Sequence, residues 1–177
     1  MLAEYVRDLA MTGVIFGFFA STWFGWAQED PPRPWRKLLI AGSVTTVLTA
    51  VAGGLLAWRH WGAGTVFDDD TSRTFGIVVG IEFGAAALGA GLLALRGRRD
   101  LMSVWIAFVV GVHLFPVAAI IGYPVIYVVA VLVTAASLVA VPIARSRGIT
   151  VSAVVGAAAG ASLLAGAIFS VVAAALS

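Results

Sequence analysis

One carboxylate in this chain has no obvious place in a loop. Glu82 sits about a third of the way into the apolar run 75–95, FGIVVGIEFGAAALGAGLLAL. An ionisable side chain at the centre of a membrane span costs roughly 2.5–3.5 kcal/mol on insertion scales and is a functional group by default. A carboxylic acid kept neutral in an apolar site can donate a proton or a hydrogen bond. Glu82 is therefore a candidate general acid, proton-coupling group or cation ligand. His113 lies in WIAFVVGVHLFP, three residues before Pro116. Pro116 has no N–H to give the Val112 carbonyl, which predicts a kink and a free acceptor beside the imidazole. Tyr127 follows shortly after Tyr123-Pro124. Glu82, His113 and Tyr127 are the catalytic candidates, with Glu82 as proton donor and the other two setting its protonation.

Aromatic side chains are the second chemical resource. Phe16, Phe18, Phe19, Trp23, Phe24 and Trp26 crowd the first apolar run, and Phe83, Trp105, Phe108 and Phe115 follow. Two interfacial belts do not need so many rings. Inward rings favour cationic species by roughly 2 kcal/mol when desolvated. Phe19, Trp23, Trp105, Phe108, Phe115 and Tyr123 are the substrate-binding candidates.

Composition removes several alternatives. There is no cysteine, so thiolate chemistry, disulfides and Cys-bound metals are excluded. The single lysine, Lys37, stands in a basic loop, which excludes a Schiff base in the membrane core. One histidine and one glutamate are too few ligands for a metal site, and no metal or cofactor is expected.

The elements that must carry these residues are apolar. The 177 residues are 61% hydrophobic and 11% charged, against about 25% charge in a soluble domain; mean hydropathy is +1.03. Six runs are long enough for about 30 Å of hydrocarbon: residues 9–27, 38–58, 75–95, 101–122, 124–144 and 151–176. The reading is all-α: a polytopic membrane protein, six transmembrane helices in one bundle forming a single domain over 1–177. Pro31, Pro32 and Pro34 break the chain after the first run, and Pro124 suits the first turn of the fifth helix.

Loop charges orient the bundle. With alternating spans, one side receives Arg33, Arg36, Lys37, Arg96, Arg98, Arg99, Arg145 and Arg147, and the other Arg7, Arg59 and Arg73. The first side is then cytoplasmic and both termini face outward across the cell membrane. Glu4, Asp8, Asp68, Asp69 and Asp70 are assigned to outer loops. At 1.5 Å per residue, Glu82 lies roughly 10 Å and His113 roughly 13 Å below the outer ends of their helices, with Tyr127 near that level. Depth permits one cluster. His60 is interfacial.

Gly76, Gly80 and Gly84 form a small-residue stripe on the third helix, opposite Glu82. This predicts a tight helix contact there and no broad lipid-facing side. Ser152, Gly156 and Gly160 mark the sixth helix as the candidate partner.

An aromatic first helix (GFFASTWFGW), an isolated membrane glutamate (Gly80-Ile81-Glu82-Phe83) and a later helix running from Trp105 to Tyr123 resemble the small integral-membrane terpene cyclases of meroterpenoid and indole-terpenoid pathways. The resemblance is spread over most of the chain and rests on no single motif. It implies that protonation of a prenyl alkene or epoxide starts a cyclisation, with Glu82 matching the family's membrane acid. That family is described with more than one such acid, and these spans offer one. The stretch WIAFVVGVHLFP is also reminiscent of small bacterial membrane proteins with a G-x-H-x-x-P pattern, which brings no function.

Three classes follow. The first is a terpene-cyclase-like enzyme acting on a lipophilic small molecule within the bilayer. The second is a proton- or cation-coupled transporter or channel, with Thr45, Thr46 and Thr49 available to line a path. The third is a structural membrane subunit locked by Glu82 and His113. Loop arginines speak to topology, and nucleic acid is not an expected partner.

Overall fold

A computed structural model describes residues 3–177. Six long helices follow one another: α1 (Val6–Ala27), α2 (Arg36–Arg59), α3 (Asp69–Leu95), α4 (Met102–Ile121), α5 (Pro124–Arg147) and α6 (Val151–Ala175). All six are long and apolar enough to cross a membrane. Short 3-10 turns at Arg33–Trp35 and Arg99–Leu101 precede α2 and α4. Gly122, at φ +66°, ends α4 in the left-handed conformation that glycine tolerates best, and Pro124 opens α5 two residues later.

Several helix ends move from their expected places, two of them with consequences for acidic residues. α3 starts six residues before the apolar run, at Asp69. The Asp68 carboxylate accepts the Thr71 N–H at 2.8 Å, and Asp69 and Asp70 occupy the first turn, where the helix dipole favours negative charge. Asp8 also leaves its assigned loop. It lies in the first turn of α1 and is buried.

The helices pack in the lateral order α2, α1, α6, α5, α4, α3, and α6 also reaches α2 and α4. Small residues let the central pair approach: a Cβ on Gly156 would stand 2.7 Å from the Trp23 carbonyl, and one on Gly160 would stand against the Phe24 ring. The α6 stripe therefore serves α1, not α3.

α3 is the peripheral helix. It packs on α4, and of its residues only Ala90 is buried. Positions Gly76, Gly80 and Gly84 face open space, which overturns the expected tight contact on that side. The stripe and Glu82 do lie on opposite faces, but the Glu82 face is the packed one. Trp105 of α4 docks there: its indole N–H donates to the Ala85 carbonyl at 3.0 Å, and the ring occupies the room left by Gly89.

Candidate functional site

Helix periodicity builds the site. Thr12, Ile15, Phe16 and Phe19 follow i, i+3, i+4, i+7 on α1. On α3, Phe75, Val79, Glu82 and Phe83 share one face, and on α4 so do Val110, His113, Leu114, Val117 and Ile121. These faces, with Ile126 of α5 and Leu163 of α6, enclose a cavity of about 260 Å³. It occupies the gap left because α3 leans on α4 without extensive packing on α1.

Inside the cavity, Glu82 Oε2 lies 3.2 Å from His113 Nε2, and the two side chains are 13% and 16% exposed. The other imidazole nitrogen is already committed: His113 Nδ1 lies 2.8 Å from the Val110 carbonyl, which can only accept, so Nδ1 carries a hydrogen. His113 thus bonds the carbonyl three residues back, not the Val112 carbonyl next to Pro116, and α4 runs unbroken through that proline. With Nδ1 protonated, Nε2 and Oε2 can meet favourably only when one proton lies between them. It belongs either to the carboxylic acid facing a neutral imidazole or to an imidazolium facing a carboxylate. Without that proton two lone pairs would face each other. Thr12 is the third polar liner, and its hydroxyl donates to the Asp8 carbonyl at 2.8 Å.

The nine residues expected at the site separate. Glu82, His113 and Phe19 line the cavity. Tyr127 does not: it packs against Phe115 with ring centroids 6.2 Å apart, and both rings are partly exposed on the outside of the bundle. Trp23 is buried against Trp26 in the α1 core. Trp105 and Phe108 pack together by the α3 contact, outside the cavity. Tyr123 is fully buried and away from the cavity lining, with its hydroxyl 3.2 Å from Ser170 Oγ. The rings that share the cavity lining with the Glu–His pair are Phe16, Phe19, Phe75 and Phe83. The i, i+4, i+7, i+8 spacing of Phe75, Val79, Glu82 and Phe83 was the signal that could have found two of them.

Asp8 is the residue that sequence reasoning missed. Its two carboxylate oxygens accept the Thr65 hydroxyl at 2.6 Å and the Val66 N–H at 2.9 Å. Arg7 stacks 3.9 Å over the Trp61 ring. These contacts tie the α2–α3 loop to the start of α1. The loop then presents Phe67 edge-on to the cavity residue Phe75, centroids 5.2 Å apart. Among the described residues no cluster of three or more His, Cys, Asp or Glu side chains is placed to hold a metal ion.

Fold and site together define a class: a six-helix membrane bundle with one carboxyl–imidazole pair in an aromatic-walled apolar cavity. No protein-family model matches the chain, and no curated protein or solved structure matches it.

Proposed function

We propose that this chain is an integral-membrane enzyme that starts the cyclisation of a lipophilic isoprenoid-type substrate by protonation, with Glu82 as the acid. The observation that carries the reading is the Glu82–His113 contact at 3.2 Å inside a cavity walled by phenyl rings. The pair lends its one proton to an alkene carbon or an epoxide oxygen. The new C–H or O–H bond forms as the π bond or the C–O bond breaks, leaving a carbocation. A second alkene of the substrate closes the ring, and a neighbouring C–H returns its proton to the Glu82 carboxylate. The product is an isomer of the substrate, and the pair ends as it began.

Three features support this over a proton-coupled transporter. Glu82 and His113 are the titratable groups of the lining, so the arrangement suits a proton lent and returned better than one handed onward. Phe16, Phe19, Phe75 and Phe83 line the cavity, and aromatic rings suit a cation. The apolar wall keeps water from quenching it early. His113, held through Nδ1, positions the proton on Glu82. The loop charges further support a cell-membrane orientation with the arginine-rich end inside and both termini outside. A reporter active only in the cytoplasm should stay silent when fused to Ser177.

The test uses the full chain in liposomes supplied with linear polyprenyl alkenes and their epoxides. Wild type should yield products of unchanged mass and altered retention, and folded Glu82→Gln should yield none. Substantial cyclisation by Glu82→Gln removes the proposal. So does pH-dependent solute flux lost in that variant, which would make the protein a transporter.

A further inference from the structure

We propose that the cavity is loaded sideways from the hydrocarbon of the bilayer, and that its occupant is a long-chain lipid which places a mid-chain segment against Glu82 and His113 while the rest of the chain stays in the membrane. The inference rests on reading the pair as the reactive site, and it names the substrate class and its route.

The two ways in differ. At the end nearest the chain termini the α2–α3 loop is fastened to both α1 and α3. Asp8 holds Thr65 and Val66, and the same loop seats Phe67 on Phe75. Thr12, on the cavity wall, is bonded to the Asp8 carbonyl, so the latch and the wall are one unit. A solute arriving from water at this end meets a loop held in place by hydrogen bonds. The side is open. α3 rests on α4 and leaves a slot toward α1 whose edges are Ile15 and Phe19 on one helix and Phe83 on the other. These edge residues are exposed, Phe83 to 58%. In a bundle that spans the membrane, what lies outside such an edge is acyl chain.

Size and chemistry choose the occupant. The volume of about 260 Å³ falls below the roughly 300–1,000 Å³ of sites that engulf a drug-sized molecule. A larger ligand must leave part of itself outside, and a side slot lets it do so in lipid. Beyond Glu82 and His113 the lining offers only a threonine whose hydroxyl is already engaged, so a polar solute would lose its hydration for little return. Depth fixes which part enters. Glu82 is seven residues past Phe75, roughly 10 Å along α3. A lipid with its headgroup at the membrane surface therefore presents chain, not head, at this level.

Photolabelling in phosphatidylcholine vesicles tests this without any turnover assay. Three probes are compared: a palmitoyl lipid with a mid-chain diazirine, one with the diazirine next to the headgroup, and a sulfonated water-soluble diazirine. The mid-chain probe should label peptides containing Glu82 and His113 several-fold above the outward face of α5 at Leu138. The other two should not. Val79→Trp should narrow the slot and reduce this labelling while leaving that at Leu138 unchanged; Ile15→Trp does the same from α1 should Val79→Trp fail to fold. Equal labelling by the water-soluble probe, or mid-chain labelling no higher than at Leu138, overturns the proposal. The two readings fail separately: turnover retained in Glu82→Gln removes the acid and leaves the route, whereas aqueous labelling removes the route and leaves the acid.

Discussion

The Glu82–His113 contact makes a quantitative claim about stability that is independent of any substrate. Replacing Glu82 by Leu leaves His113 Nε2 without a partner, and the ring cannot turn away because Nδ1 is held by the Val110 carbonyl. Three scales compete for the cost. Breaking a fully buried ion pair in a soluble protein costs about 3–5 kcal/mol. Orphaning a neutral buried group costs about 1–3 kcal/mol. Interhelical hydrogen bonds in membranes average about 0.6 kcal/mol and reach about 1.7, because the chain unfolded within the bilayer also finds partners. The membrane scale governs here, since both states are in lipid. The site lies at its upper end, because the side chains are only 13% and 16% exposed and the acceptor geometry is fixed. The expected coupling energy between Glu82→Leu and His113→Leu is about 1–2 kcal/mol. Glu82→Gln keeps a donor for Nε2 and should cost under about 1 kcal/mol, the scale of one neutral hydrogen bond. Equilibrium unfolding in bicelles of the two single variants and the double variant gives the coupling directly. A coupling under about 0.3 kcal/mol would refute the contact, being within the usual error of additivity. A Glu82→Gln variant as damaged as Glu82→Leu would refute the single shared proton.

Three further outcomes can be read from the same structure. Asp8→Ala strands the Thr65 hydroxyl and the Val66 N–H and should lower stability by about 1–3 kcal/mol, with Asp8→Asn milder; photolabelling by the water-soluble diazirine should rise at Phe75 as the loop loosens. Gly156→Ala should cost about 1–3 kcal/mol, because its Cβ would meet backbone at Trp23 and Ala27. Gly80→Ala, which points into open space, should be neutral or gain up to about 1 kcal/mol from helix propensity, and thermal unfolding of the pair decides. Hydrogen bonds from the Thr71 side chain and its backbone N–H hold the Asp68 carboxyl below its ordinary 3.8. That cap is fully present above the unfolded value and is lost as pH falls through the lower folded value. Protection of the Thr71 amide should fall over that window, and Asp68→Asn should flatten the dependence.

How far the site was legible follows from what lipid does to sequence signals. Glu82 and His113 stood out because few polar groups tolerate a span, and their depths matched because helix rise is fixed. Facing was not legible. In a soluble helix a polar face marks the outside. In a membrane the outside is as apolar as the core, so the periodicity that places Phe75, Val79 and Phe83 beside Glu82 looks the same as one that places them in lipid. Trp23, Trp105 and Tyr123 are candidates by residue type alone, and their place along the helices and their neighbours put them elsewhere. Asp8 was lost because acids next to a span read as loop residues, and its partners lie 57 and 58 positions away.

The sequence by itself determined six apolar spans, their alternation, the charge asymmetry of their ends and the presence of one carboxyl and one imidazole at a common depth. Each is a local property, set by side-chain transfer energy and by a rise of about 1.5 Å per residue. Only the tertiary structure decided that α3 lies at the edge on α4 with its glycines outward, that α6 serves α1, and that the space between α1 and α3 stays open as a cavity holding Glu82 and His113 in contact. Those are choices among helix faces of nearly equal hydrophobicity. They are settled by close packing at Gly89, Gly156 and Gly160 and by a few polar contacts such as Trp105 to the Ala85 carbonyl, which act between positions distant in the chain.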